Sequence, residues 1–305
     1  MAIRLEETIR SPSLVSAIIV TYHPDDNALK NLCGTLSNQV NEIIIVDNGS
    51  DQFMLEKIID VHKKIKLISL SCNEGIAYGL NKGIREVSER SEFVILFDQD
   101  SEPEENVVRT LIDIFYEANI SGVNVCAVGP QFYDSRSGEK CSFYRQEAGG
   151  EVKDFCEQSD WVLADHLITS GSLIPVSSFS SVGFMKSELF IDLVDVEWGL
   201  RAKSMGMTCV GTARATMKHS IGEDVIQLFG FHIYKHAPIR YYYQIRNRLW
   251  LCFRAYVPLM WKLKYGIRIP VLACLYVYNS PHKLTVLKNV LLAVYHAFIG
   301  RLGKL

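Results

Sequence analysis

No run among the 305 residues reaches the roughly 18 uncharged apolar positions that a membrane-spanning helix requires. The first apolar run, Leu14–Val20, is too short for the core of a secretory leader. It passes directly into Thr-Tyr-His-Pro-Asp-Asp, which reads as a strand entering a loop. None of the eight cysteines forms a C-x-x-C pair and their spacing is irregular, which argues against a zinc knuckle or a disulfide framework and fits a reducing cytosol. Internal repeats and low-complexity tracts are absent as well. The most informative lack is of acid. From Val225 to Leu305 there are twelve Lys or Arg and no Asp or Glu, which leaves 20 basic against 34 acidic residues ahead of them. A formal net charge of −2 therefore conceals an acidic body and a basic tail rich in Trp, Tyr, Phe and Leu. The acidic body argues against nucleic acid as a partner. What remains, 48% hydrophobic and 22% charged, is the composition of a globular chain with room for one large domain or two modest ones.

Short β-branched runs alternate with helical stretches through the first half. Strands are expected at VSAIIVTY, EIIIVDN, IKLISL, EFVILFD and VCAVGP, with helices over Asn27–Gln39, Gln52–Lys63, Ile76–Glu89 and Glu104–Ala118. Nearly continuous apolar strands with intervening helices imply an α/β fold, a mainly parallel sheet covered on both faces. Ligands of such sheets bind beyond the carboxyl ends of the strands. Polar residues collect at those ends: TYHP, DNGS, CNEG and DQDSEP. After Pro130 the alternation gives way to loop and hairpin material. Order returns at Trp161, and a loop leads into a helix around Asp195.

Asp98 and Asp100 close the fourth strand. Two residues apart on an extended chain, they face the same way and can address one point. Mg²⁺ or Mn²⁺ prefers such oxygens, and its charge offsets their repulsion; the bland alternative is a solvated turn before the next helix. Asp47 ends the second strand, where a carboxylate can accept from a base or ribose or simply cap a turn. Gly75, Gly79 and Gly83 surround Asn81; small residues there permit close approach of a ligand or of the sheet. Asp192, Asp195 and Glu197 offer carboxylates suited to general-base work or to capping. Asp195 and Glu197 would lie about 200° apart on a helix yet share a face if extended, which leaves open which one is the base. His219, after a strand, suits a borderline cation such as Mn²⁺ or a diphosphate.

As a set, and in this order, VTY, VDNGS, N-x-G-x-x-x-G-x-N-x-G, DQDS, D-x-E-W-x-x-R and HSIG resemble family-2 glycosyltransferases of GT-A fold over Val15 to Asp224. ITSGSLI, LFIDLVDVEWGLRAKSMG and RYYYQIRN are most similar to bacterial rhamnosyltransferases of surface-polysaccharide (O-antigen) assembly. The resemblance implies a GT-A domain over residues 1–224 with a Rossmann-like sheet, and an inverting transfer from a nucleotide sugar such as dTDP-rhamnose to a lipid-linked saccharide. It implies that Thr21, Tyr22 and Asp47 hold the nucleoside, and that Asn81 and Gly83 line the diphosphate side. Asp98 would touch the ribose or the metal, Asp100 would ligate Mg²⁺ or Mn²⁺, and His219 would help hold metal and diphosphate. Asp195 would be the base, with Glu197 the competing candidate. The chain departs from the family at His23, where relatives commonly carry Asn, and at Trp198, where many carry an aliphatic residue.

Residues 225–305 form a second region in which Lys and Arg alternate with aromatic and aliphatic residues. Helices of that kind lie in the plane of anionic membranes, so the tail is expected to hold a cytoplasmic enzyme peripherally against the inner membrane. A homodimer seam, or packing on the body, is the alternative. Two other functions compete: a D-x-D phosphohydrolase, in which the first aspartate is a nucleophile, and a non-catalytic membrane scaffold.

Overall fold

The computed structural model describes residues 13–50, 64–135, 138–147, 150–219, 225–228, 231–234 and 236–305. The helix expected over Gln52–Lys63 and the residues after His219 in HSIG lie outside them. The chain opens with β1 (Val15–Thr21), α1 (Asp26–Ser37), β2 (Glu42–Asp47), β3 (Ile65–Ser69), α2 (Ile76–Arg85) and β4 (Phe93–Asp98). It continues through β5 (Glu102–Pro103), α3 (Val107–Ile120), β6 (Val125–Asp134), the ribbon β7 (Phe143–Glu147) and β8 (Gly150–Asp154), β9 (Trp161–Ala164) and β10 (Leu173–Pro175). Next come α4 (Val176–Val182), α5 (Val194–Ser204), β11 (Thr208–His219) and a second ribbon, β12 (Val225–Leu228) with β13 (Phe231–Tyr234). The tail is helical: α6 (Pro238–Cys252), α7 (Leu259–Asn279) and α8 (Lys283–Phe298).

The central sheet runs β3-β2-β1-β4-β10-β6-β11-β5, with β9 beside β11. β3, β2, β1 and β4 are mutually parallel, as are β6 and β11; β10 is inserted antiparallel between β4 and β6. The expected mainly parallel α/β architecture is therefore present. Period-2 alternation divides the strands between two cores. Ile18, Val20, Ile44, Val46, Val94 and Leu96 face one cluster with α2, α4 and α5. Ala17, Ile19, Ile43, Ile45, Ile95 and Phe97 face the other, covered by α1 and α3. Residues buried on both faces explain why these strands read as unbroken apolar runs. Asp25 starts α1 by accepting from the amides of Asn27 (3.0 Å) and Ala28 (2.9 Å).

β11 deserves its length because it reaches from the body to the cleft. Its pairing with β6 jumps between Thr212, opposite Pro130, and Thr216, opposite Gln131, so Ala213–Ala215 bulge out of register. Ala215, the last residue of the bulge, and Met217 beyond it both point inward, and His219 follows in the same phase.

The tail is not one exposed unit. Tyr241, Tyr242, Tyr243 and Ile245 of α6 pack with α7 and α8, while Trp250, Leu251, Val257 and Trp261 join the core beneath α2 and α5. α6 thus belongs to the packing of the body. α7 and α8 keep apolar side chains at the surface, among them Leu263, Ile267, Leu284, Leu291 and Phe298. Among the described residues no helix is long and apolar enough to cross a membrane.

Candidate active site

A cleft of about 550 Å³ opens at the carboxyl ends of β1 and β4 and is closed on the far side by residues 190–195. Its floor is set by Asp47, which is fully buried. Asp47 accepts from Thr21 Oγ1 (2.9 Å), from Ser50 Oγ (2.6 Å) and from the Ser50 amide (2.8 Å). Thr21 lines the cleft, whereas Asp47 stands behind the lining as its support. The amide of His23 donates to Ser50 Oγ (2.7 Å), and His23 sits at φ +48°, a conformation in which His, like Asn, is enriched. Tyr22 projects half-exposed beside it.

Gln99, between the two aspartates, uses its side-chain amide as a backbone mimic. Its Oε1 accepts from the Tyr22 amide (2.7 Å) and its Nε2 donates to the Tyr22 carbonyl (3.3 Å), which ties the end of β4 to the end of β1. Asp98 and Asp100 are left to face the cleft. Ser170, in the loop before β10, donates to Asp98 Oδ2 (2.7 Å) and accepts from the Asp98 amide (2.9 Å). His219 lies between the carboxylates, Nε2 3.6 Å from Asp98 Oδ2 and Nδ1 3.6 Å from Asp100 Oδ1. Burial raises the Asp100 carboxyl above the ordinary range; His219 opposes the shift and the charge of Asp98 adds to it. Three segments far apart in the chain, at 98–100, 170 and 219, thus meet at one wall.

Asp195 occupies the opposite wall, in the first turn of α5, with Oδ1 accepting from the Val196 amide (2.8 Å). Burial raises its carboxyl, and His166 pulls it back. His166 was not distinguished in the sequence, where it lies in a returning apolar segment. It is half-buried, stacked on Tyr144 (centroids 6.2 Å apart), and desolvation lowers its pKa while Asp195 and Asp165 raise it. Among the described residues its Nδ1 and that of His219 are buried without a hydrogen-bond partner.

The helical phase separates Asp195 from Glu197. Glu197 is fully buried on the other side of α5, where its oxygens accept from Arg201 Nε and Nη2 (2.9 Å each) and from Tyr256 Oη (2.8 Å). Arg201 also donates to the carbonyls of Val182 and Phe184, and Trp198 Nε1 donates to Gly183 O (2.8 Å). In D-x-E-W-x-x-R only the first residue addresses the cleft. Trp198 and Arg201 bolt α5 to the turn after α4, and Glu197 holds Arg201 in place.

Two further expected contacts lie elsewhere. Asn81 is buried, donating to Met185 O (2.7 Å) and Ser187 Oγ (2.8 Å) and accepting from the Met185 amide (2.9 Å), so its hydrogen-bonding groups are turned to the 185–187 turn and it does not line the cleft. A Cβ on Gly83 would stand 2.6 Å from Ile18 Cγ2; the glycine lets α2 lie directly on β1 and takes no part in the cleft. Gly75 does line the cleft, at φ +89°, and a Cβ there would meet Phe190 O at 2.4 Å.

Residues 16–160 match the sequence profile of glycosyl transferase family 2. The dTDP-rhamnosyl transferase RfbF of Shigella flexneri is 30% identical over 297 residues, 95% of this chain and 97% of that one. In structure the chain is similar to GalNAc-T7, crystallised with UDP, GalNAc and Mn²⁺, with a TM-score of 0.56 and 13% identity over 77% of this chain and 46% of that longer one; this likeness is one of fold. With a relative matched along nearly its whole length and the family's strand-end motifs gathered around one cleft, the chain belongs to glycosyl transferase family 2 and is a glycosyltransferase.

Proposed function

We propose that this enzyme transfers L-rhamnose from dTDP-L-rhamnose to a hydroxyl of a lipid-linked saccharide during surface-polysaccharide assembly, with inversion at the anomeric carbon. The end-to-end match to a dTDP-rhamnosyl transferase carries the choice of donor. The cleft supports the chemistry, with Asp98, Asp100 and His219 on one wall and Asp195 on the other. Two carboxylates and an imidazole whose buried Nδ1 makes no hydrogen bond suit Mg²⁺ or Mn²⁺. Among the described residues no group of three His, Cys, Asp or Glu side chains is arranged to hold a metal ion by itself, so an ion here would need oxygens of the donor's phosphates as well. When bound, that ion supplies positive charge beside the leaving diphosphate. Asp195 accepts the proton of the acceptor hydroxyl as its oxygen bonds to the anomeric carbon, and the bond to the diphosphate breaks on the opposite side. Thr21 and Tyr22 form the nucleoside end of the cleft.

A panel of nucleotide sugars with a lipid-linked acceptor tests the donor. Nucleotide release with the highest kcat/KM is expected for dTDP-rhamnose in the presence of a divalent cation. A higher value for a UDP- or GDP-linked sugar would assign the family chemistry to another donor.

The tail supports docking on the inner face of the cytoplasmic membrane. Leu284, Leu287, Leu291, Tyr295 and Phe298 form one exposed stripe along α8, next to a tail with no acidic residue. Each Lys or Arg near an anionic surface adds about 1 kcal/mol, so salt should weaken the association. Replacing Leu284, Leu291 and Phe298 together by Asp is expected to abolish sedimentation with phosphatidylglycerol vesicles. Undiminished sedimentation, or a parent protein that stays with the supernatant as a dimer, would exclude the membrane reading.

A further inference from the structure

The cleft wall in front of Asp195 is built from a conformation its residues disfavour. Phe190, Asp192 and Leu193 have φ of +67°, +65° and +62°, and none is glycine. Phe190, with ψ −67°, centres a γ-turn closed by the Ile191 amide on Leu189 O (2.8 Å), the rarer and more strained form. Leu193 is left-handed at the N-cap of α5, two residues before Asp195. Such residues cost about 1–3 kcal/mol each and persist only where the surroundings hold them.

The restraint comes from the tail. Asn247 Nδ2 donates to three carbonyls of this turn, Leu189 (3.1 Å), Ile191 (2.8 Å) and Asp192 (2.9 Å). Arg246 Nη2 donates to Glu188 O (3.2 Å) and Leu189 O (2.9 Å), and its Nε donates to Asn247 Oδ1 (2.9 Å), orienting that amide. Both side chains are fully buried. Arg240 Nε and Nη2 pair with the Asp192 carboxylate at 3.2–3.3 Å, and Phe190 stacks on Tyr243 (4.8 Å). The Gly303 amide donates to Glu188 O (2.7 Å). A left-handed turn leaves its carbonyls without regular partners, and here two donor-rich side chains collect them.

We propose that Arg246 and Asn247 are positioning residues for sugar transfer: α6 acts as a splint that keeps the turn Leu189–Leu193 in the shape that presents Asp195 to the acceptor. The catalytic half of this inference rests on Asp195 as the base; the structural half does not. It also gives RYYYQIRN a purpose apart from any membrane, since its Arg240, Arg246 and Asn247 serve the active-site wall.

Amide exchange of the substrate-free protein, followed by mass spectrometry, tests the splint on Asn247→Ala and Arg246→Lys. Exchange is expected to accelerate in peptides covering 188–196 while peptides from β1, β2 and β4 keep their protection. In the same variants kcat should fall at least about tenfold, with nucleotide affinity and donor KM within twofold of the parent, as for a misplaced rather than missing group. Unchanged exchange over 188–196 overturns the inference, and so does faster local exchange with unaltered kcat. If either variant loses protection throughout, Arg240→Ala, which removes the half-exposed pair with Asp192 at the cleft, is the deciding protein: unchanged exchange over 188–196 there overturns it. Should Asp195→Asn prove fully active, the base assignment fails on its own, whatever the exchange data show.

Discussion

Asp195→Asn is expected to bind the donor as the parent does and to lose about 10²–10⁴-fold in kcat, the usual value of a positioned general base. Asparagine keeps the size of the side chain and can still accept from the Val196 amide, so the loss reports proton transfer alone. A general base at this position would act only as the ionised carboxylate. Burial raises its pKa and His166 only partly offsets this, so kcat should decline on the acid side at a pH above the ordinary carboxylate range. That acid limb should vanish in the variant. Glu197→Gln gives the opposite pattern. It halves a buried pair with Arg201, with a cost of about 3–5 kcal/mol in stability, while kcat per folded molecule is retained. Thermal melts beside steady-state kinetics separate the two. Turnover lost in Glu197→Gln at an unchanged melting temperature would reverse the assignments.

The second large effect is expected at Asp100. Asp100→Asn removes the charge of one of two facing carboxylates, leaving Asp98 held by Ser170 and His219 in place. Nucleoside diphosphate binding, measured by calorimetry with and without Mn²⁺, should lose its dependence on the ion, and turnover should drop to background. Metal-dependent binding as tight as in the parent would remove Asp100 from any ligand set. Covalent phosphorylation of Asp98 would distinguish sugar transfer from an aspartyl-phosphate mechanism, which needs that residue as nucleophile. Family membership already disfavours that chemistry, and Asp98 Oδ2 is engaged with Ser170.

Much of this was legible because the strands are buried on both faces. Val15–Val20, Ile43–Val46 and Phe93–Phe97 have no polar phase beyond a serine in the first, so their apolar runs stand out and the polar residues just after them mark the cleft. What was not legible depends on phase or on distant partners. Asp195 and Glu197 look equivalent until α5 is known to begin at Val194, which sends one to the cleft and the other to Arg201. Asn81 among glycines has the look of a ligand contact, but the amide it serves is that of Met185, more than a hundred residues away. His166 carries no spacing signal at all. α6 reads as basic and aromatic, and therefore as surface, because nothing in Phe190, Asp192 or Leu193 announces a left-handed turn whose carbonyls need Arg246 and Asn247.

The bulge in β11 has a consequence for how far this chain tolerates changes of length. Facing alternates at every residue of a strand, so the three residues Ala213–Ala215 decide which side of the sheet receives His219. Trimming or extending that excursion by one residue would swing the imidazole to the opposite side from Asp98 and Asp100, with every named site residue still present. Parity, as well as composition, is under constraint there.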